Sequence, residues 1–497
     1  PTKQMTITIV FTYLILVLSI GVLGHKFFRG TGEDYFIASR SIGSFVLLMS
    51  LFSTHMTAFS ILGASGQAYH QGVSVFGLMA SSSALVVPVI FFFVGTRLWS
   101  IGKQYGYLTQ VQYFRERWNS DSLGLLIFII LVLLIIPYLL IGVMGGGDTL
   151  AKITNDQIPK WLGSLLICAV VVIYVCYGGM RSTAWANTFQ ALVFMVLGGV
   201  TFILITRKMG GVPSITEKIN IDLLIPAHRL NPIQFISYTC IPLSTAMFPH
   251  MFMHWLTAKD IDTFRFPIIF YPVCIAIVWV PSVILGVFGS VAIPGLQGAE
   301  ANSVLIQMIK RYSPDFLVGL LAAGIFAAIM SSLDSQSLSI GNMFTHDIVI
   351  HYRFFDQISE KQRVLIGRLF VFIVLSLIYI LSLVSTSSIF KLGVWSFTGF
   401  ASLFPIVIAA VFWKRSNKFG AFSSALSVIV LWTYFFFRGW QVPNYTVANT
   451  GIMPVVFILA VSTIAMIGGS LMTRPPDPDL INKFFPPDTR DPYSIKT

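Results

Sequence analysis

The sequence predicts an all-α, polytopic membrane protein of about thirteen transmembrane helices, and three observations carry that prediction. Only 10% of the 497 residues are charged, 32 Lys and Arg against 20 Asp and Glu, where a soluble chain carries about 25%. Hydrophobic residues make up 55% of the chain and the mean hydropathy is +0.80, which excludes a cytosolic enzyme, a disordered chain and a nucleic-acid binder. Apolar windows of about 20 residues, the length that crosses a bilayer core, recur along the whole chain. They leave loops too short for a separate soluble domain.

The first window, 5–24, has little basic charge before it beyond Lys3 and no small-residue cleavage signature before Lys26. It therefore reads as a retained helix and not as a removed signal peptide. Windows at 44–66, 72–94, 124–145, 161–179 and 186–206 follow, then 234–250, 266–292, 316–345, 364–384 and 393–412, and the series closes with 418–438 and 452–472. An odd number of spans puts the termini on opposite sides. With the N-terminus outside, 21 of the 32 Lys and Arg fall on the inner side, so the positive-inside rule predicts N-out and C-in. The net charge of +12 is thus a topology signal. The tail, 474–497, contains RPPDPD and FFPPD and reads as an irregular, proline-rich cytoplasmic extension. Cys168, Cys176, Cys240 and Cys274 lie in apolar stretches without metal-ligand spacing and read as small buried hydrophobes.

Two windows, about 190 residues apart, are unlike ordinary spans. The second, SFVLLMSLFSTHMTAFSILGASG, crowds Ser50, Ser53, Thr54, His55, Thr57 and Ser60 into its middle; the seventh, FISYTCIPLSTAMFPHMF, places Pro242 and Pro249 at the ends of a Ser/Thr-containing stretch. Proline removes a backbone donor and short hydroxyl side chains compete for backbone partners, so both are predicted to unwind in mid-membrane. Freed backbone at that depth is tolerated only inside protein or around a cavity. A pair of interrupted helices in two halves of a chain points to a transporter site; two kinked packing helices are the plainer alternative.

In the ninth window, LAAGIFAAIMSSLDSQSLSIGNMFTHDIV, helical spacing puts Ala328, Ser331, Ser332 and Ser335 on one face, with Asp334 a turn from Ser331. Such a column of oxygens suits a dehydrated monovalent cation, although hydroxyls also join helices in membranes. Asp334 tilts the balance, because an intramembrane carboxylate by default marks an ion or proton pathway. The group His346, Asp347 and His351 has a suggestion of metal spacing but lies where the ninth helix runs into a basic loop, and it reads as a solvated helix end.

With these pieces in place, the chain resembles the sodium/solute symporter family, which includes bacterial proline, pantothenate, sialic acid and galactose carriers. The matching stretches are DYFIASRSIG, SLFSTHMTAFSILGASGQAYHQG, YGYLTQVQYFRERW, YGGMRSTAWANTFQ, AAIMSSLDSQ, WSFTGFASLFP and FWKRSNKFGA, in the family's order, and the similarity runs from about residue 5 to 472. The resemblance implies a single transporter domain, 1–473, with a LeuT-like core of two inverted five-helix repeats at about 44–206 and 234–412. The first helix precedes them and two helices, within 418–472, follow. It also implies sodium-coupled symport of a small organic solute by alternating access, with no enzyme activity and no catalytic residues. The sodium ligands would be the carbonyls of Ser53, Met56 and Ala328 and the hydroxyls of Ser331 and Ser332.

One departure concerns a second ion. Many relatives carry an aspartate where this chain has Asn187, and an amide lacks the charge that offsets dehydration of a cation. Asp334, with Ser335 and Asn187, is the candidate replacement. His55 stands where relatives often carry Asn or Asp; it is placed to donate to an unwound carbonyl, to contact solute, or to titrate near neutral pH. His250 and His254 read as gate or interface residues. Solute-site candidates are His55, Thr57, Phe59, Ser60, Met79, Ser82, Ser244, Thr245, Trp395 and Ser396. This set has no deep Arg or Lys, which leaves a sugar, a neutral amino acid or a monocarboxylate as the solute.

The expected partners are therefore the solute, sodium and the bilayer, with no nucleic acid and no obligatory protein partner, in a bacterial inner membrane. Proton coupling in the same fold is the competing reading, and an intramembrane enzyme using His55 and Asp334 as an acid/base pair is a more distant one.

Overall fold

A computed structural model describes residues 2–24, 37–226, 231–354, 359–442 and 444–485. The first three residues of the DYFIASRSIG stretch and the tail beyond Phe485 lie outside the described residues.

Every window predicted from the sequence is helical. In order, the principal helices are α1 (Thr2–Gly24), α2 (Ser44–His55), α3 (Phe59–Gln71), α4 (Phe76–Tyr105), the short α5 (Gln110–Trp118), α6 (Asp121–Ile153), α7 (Lys160–Tyr177) and α8 (Met180–Lys208). They are followed by α9 (Pro232–Tyr238), α10 (Pro249–Leu256), α11 (Ile261–Ala292), α12 (Val304–Tyr312) and α13 (Asp315–Ile350). The series ends with α14 (Glu360–Val384), α15 (Ile389–Phe412), α16 (Lys418–Gly439), α17 (Pro454–Leu471) and α18 (Pro478–Phe484). Ten of the helices are long and apolar enough to cross a membrane, and α2 with α3, bent by 59°, make an eleventh.

Local chemistry sets the ends. Ser120 accepts from the Leu123 N–H and starts α6, with Asp121 in its first turn, and Asn417 caps α16. Caps and first-turn acids satisfy the orphan donors and the dipole of a helix start. The seventh window is in three pieces, as its prolines require: α9, a 3-10 turn over Ile241–Met247, and α10 after an extended Phe248 (φ −69°, ψ 121°).

Helix α13 is the axis of the bundle. In its most apolar stretch 83% of residues are buried, against 33% in α8, α14 and α17. It packs on α1, α2, α6, α7, α8, α10 and α14, while α15 lies along α6 and the Ile241–Met247 turn. A backbone bridge between Ile42 and Ala258 ties the chain entering α2 to the chain leaving α10. The two interrupted spans therefore run side by side against α13.

Two readings of the sequence need correction. Asp347 is not at a solvated helix end: it is fully buried, accepts from Thr109 Oγ1 at 2.7 Å and pairs with Arg115 at 3.3 Å, and the Arg115 guanidinium also reaches its carbonyl. Thr109 and Arg115 belong to the start and body of α5, some 230 residues away, so local spacing gave no sign of them. The tail is not wholly irregular either. Asp477 caps α18, Pro478 occupies its first turn, and Phe484 is buried beside Tyr105 and Tyr113 with Lys483 paired to Glu116 at 2.9 Å. Proline at a helix start is compatible with the helix, and an aromatic anchor then gives the segment something to bury. Arg117 of α5 is buried and donates to the Ala410 and Trp413 carbonyls and to Ser416 Oγ; burial draws its pKa below the ordinary value.

Candidate ion and solute site

Helix α2 stops at Met56 (φ −85°, ψ 100°), and a threonine restarts the chain. Thr57 Oγ1 accepts from the Phe59 N–H at 2.9 Å, and Ser60 Oγ donates to the Thr57 carbonyl at 2.9 Å. That is an N-cap in mid-span. The carbonyls at the end of α2 lose their helical partners, and α13 supplies a replacement. Ser331 Oγ lies 2.9 Å from the Ser53 carbonyl and 3.0 Å from the Ala328 carbonyl. A hydroxyl carries one proton, so it serves these two acceptors one at a time. Ser332 Oγ lies 3.4 Å from the same Ala328 carbonyl and 3.0 Å from that of Ile329. Ser53, Ala328, Ser331 and Ser332 are all at most 1% exposed. Their oxygens form a dry cluster beside the Met56 break, where one more electropositive partner would be fully used.

A second group lies one turn along α13. Ser335 Oγ donates to the Ser331 carbonyl at 3.2 Å and meets Asn187 Nδ2 at 2.8 Å and His254 Nε2 at 3.1 Å. The structure thus brings Asn187 and Ser335 together through the amide nitrogen and leaves Asn187 Oδ1 without a partner. Asp334 makes no hydrogen bond to either. It is fully buried, and among the described residues neither carboxylate oxygen has a hydrogen-bond partner. Tyr13 of α1 and Tyr174 of α7 are within electrostatic reach of it; the amide of Gln190 and the hydroxyl of Tyr13 are also buried without hydrogen bonds of normal geometry. A buried carboxylate in this state is strongly disfavoured unless a cation or a proton neutralises it.

Five of the solute-site candidates, His55, Phe59, Ser60, Met79 and Ser244, line one small central cavity of about 20 Å³, together with Met56, Ser83, Trp279 and Phe397. His55 Nδ1 shares a hydrogen bond with Tyr271 Oη. The other five lie elsewhere. Thr57 is engaged as the cap, Ser82 bonds back to carbonyls of its own helix, and Ser396 Oγ donates to the Leu134 carbonyl at 2.8 Å. Thr245 is buried with its hydroxyl unpartnered. Trp395 lines a second and much larger cavity of about 960 Å³, which opens at the end of the bundle where α3 terminates.

Phe59, which lines the small cavity, and Phe390, which lines the large one, stand between the two. The Phe59 ring stacks on Phe390 at 4.9 Å and 21° and meets Phe397 edge-on at 5.1 Å. It fits because residue 393 is glycine: a Cβ there would sit 2.4 Å from the Phe59 ring. His250, fully buried, stacks on Phe248 at 5.0 Å and lies 5.5 Å from Tyr138, and Gln110 Nε2 donates to the Met247 carbonyl at 2.8 Å. The other side of the unwound seventh span is therefore packed.

Sequence reasoning missed Tyr271, Trp279, Phe397 and the contact of His254 with Ser335. Tyr271 and Trp279 sit in a long apolar stretch, where a site-facing ring has the same signature as a lipid-facing one.

A discontinuous helix whose freed carbonyl meets a hydroxyl column on α13, beside a small central cavity, is the arrangement of a membrane carrier. The sodium:solute symporter family model matches residues 35–427, and the chain belongs to that family. It is 26% identical to a sodium/proline symporter of Haemophilus influenzae, over 95% of each chain, and 25% identical to a sodium/pantothenate symporter of Escherichia coli, over 92% of this chain and 94% of that one. Among solved structures, a substrate-bound, outward-open sodium-coupled sialic acid symporter superimposes with a TM-score of 0.79 at 20% identity, over 95% of this chain and 99% of that one. It shares the fold.

Proposed function

We propose that the protein is a sodium-driven symporter of a small organic solute, spanning the membrane thirteen times, with α2 to α8 and α9 to α15 as inverted repeats. The observation that carries this reading is the Ser331 hydroxyl bridging the freed Ser53 carbonyl and the Ala328 carbonyl. Sodium would take the carbonyls of Ser53, Met56 and Ala328 and the hydroxyls of Ser331 and Ser332. On entry the Ser331 proton turns away and its lone pair turns to the ion, so binding replaces an underused hydrogen bond with a multidentate contact. Asp334, with Ser335 and Asn187, is the proposed second cation site, since an unpartnered buried carboxylate calls for a positive charge.

The solute would occupy the central cavity beside the sodium site, enlarged by movement of Phe59 and lined by His55, Ser60, Met79 and Ser244. Proline and pantothenate, the solutes in the names of the two relatives, and sialic acid all carry a carboxylate, which favours a carboxylate-bearing solute, an amino acid or a monocarboxylate, over a neutral sugar. With N-out topology in a bacterial inner membrane, the 960 Å³ cavity faces outward. Occupancy by sodium ties α2 to α13 and favours the solute-competent state; an ion with equal affinity for all states would shift nothing. One charge crossing 100 mV contributes about 2.3 kcal/mol and a tenfold sodium gradient about 1.4 kcal/mol, together roughly 500-fold accumulation for one ion per solute.

The test is substrate-driven current in proteoliposomes across a panel of carboxylates, sugars and amino acids. Current that requires sodium supports the reading. Current that persists without sodium and collapses with the pH gradient assigns the Asp334 carboxylate to a proton and overturns sodium coupling.

A further inference from the structure

Among the described residues, the large cavity beyond the Phe59–Phe390 stack is lined by no Asp or Glu, and its one lysine is Lys391. Lys391 follows Phe390 directly, in the first turn of α15, where its N–H is held by the Ser388 cap at 3.2 Å. The positive end of a helix dipole repels a cation there. Its ammonium donates to the Trp440 carbonyl and lies 5.8 Å from the Trp440 ring. An ammonium has three protons to donate, and among the described residues no carboxylate pairs with this one. A cation set against a helix start, in a concave site whose walls mix aromatic rings with amides and hydroxyls, concentrates positive potential in the cavity.

The wall beside it is aromatic. Trp395 stacks with Tyr445 at 6.3 Å and 30°, the Trp432 indole holds the Trp395 carbonyl at 2.8 Å, and Trp440 packs on Phe436 at 4.6 Å. Rigid rings of this kind bind apolar matter at little entropic cost, and a volume of about 960 Å³ admits a small molecule with room to reorient.

We propose that this cavity is a capture site for organic monocarboxylates, with Lys391 holding the carboxylate and the Trp395, Trp440 and Tyr445 rings holding the apolar portion beyond the Phe59–Phe390 stack. One cation matches one negative charge. Among the described residues, a lining without Asp or Glu admits the anion, and one without a second Lys or Arg gives a doubly charged phosphate ester no matching pair. The site rests on the symport reading for its place on the solute's path and deepens that reading by naming the solute's charged group.

The experiment uses the full chain in nanodiscs without sodium, with phenylacetate and its neutral isostere phenylacetamide as probes and tryptophan fluorescence as readout. Saturable quenching by phenylacetate, roughly tenfold weaker for the amide, is expected for a charge-selected site. Lys391→Gln weakens phenylacetate to the level of the amide, Lys391→Arg retains most of the binding, and Trp440→Phe lowers the quenching amplitude. Equal binding of acid and amide, or no change in Lys391→Gln, overturns the proposal. Sodium-induced thermal stabilisation, measured on the same samples, separates this from the symport reading. Stabilisation by sodium without Lys391-dependent quenching removes the capture site alone; quenching without any sodium response removes sodium coupling alone.

Discussion

The Ser331 hydroxyl and the Ser53 carbonyl, 278 residues apart in sequence, meet at 2.9 Å where α2 ends. One proton is shared there between two carbonyls, and the helix break on one side and the hydroxyl column on the other are both needed to create that situation.

Ser331→Ala leaves the Ser53 carbonyl without that donor. Stranding a buried acceptor costs about 1–3 kcal/mol, so the thermal midpoint in detergent falls. The half-saturating sodium concentration for stabilisation rises by roughly tenfold or more, about 1.4 kcal/mol. An unchanged sodium titration would show that the oxygen cluster only joins helices.

Asp334→Asn removes the unpartnered charge while keeping shape. The substitution abolishes one cation equivalent, so the Hill coefficient for sodium falls toward one and the sodium-free protein becomes more stable. A variant with the same sodium affinity and stoichiometry as the parent refutes the second site.

Gly393→Ala pushes a methyl group into the Phe59 ring. Overpacking of this kind costs typically about 1–3 kcal/mol, and because the displaced ring stands between the cavities, uptake is lost well before the fold. Phe59→Leu in the same background restores space. Recovery of uptake in the double variant, measured in proteoliposomes, is the expected result.

Arg115→Ala strands Asp347 in a buried site. Removing one partner of such a pair costs about 3–5 kcal/mol, and the thermal midpoint falls sharply, whereas Asp347→Asn with Arg115→Met falls less. A mild effect of the single substitution would mean that Asp347 is hydrated or protonated in the folded protein.

Several parts of this architecture were legible in the sequence because they depend on local chemistry. Prolines 242 and 249 and the run of hydroxyls from Ser50 to Ser60 mark the two interrupted spans directly, and the spacing of Ala328, Ser331 and Ser332 on one helix face needs no tertiary information. What escaped depends on distant partners. Asp347 looked like a solvent-facing helix end because Thr109 and Arg115 reach it from another part of the chain. The partners of Ser335, the amide of Asn187 and the ring of His254, likewise come from distant helices. Trp279 was hidden in the apolar stretch of its helix, and the setting of Lys391 depends on Trp440, 49 residues along the chain.

Sodium coordination by the Ser331 and Ser332 cluster can be tested without knowing the solute, through equilibrium binding of radioactive sodium to the purified full chain and to Ser331→Ala/Ser332→Ala. Saturable binding is expected in the parent and a loss of affinity of roughly tenfold or more in the double variant, with the helical circular dichroism spectrum retained. Equal sodium binding by a folded double variant would show that these hydroxyls do not hold the ion.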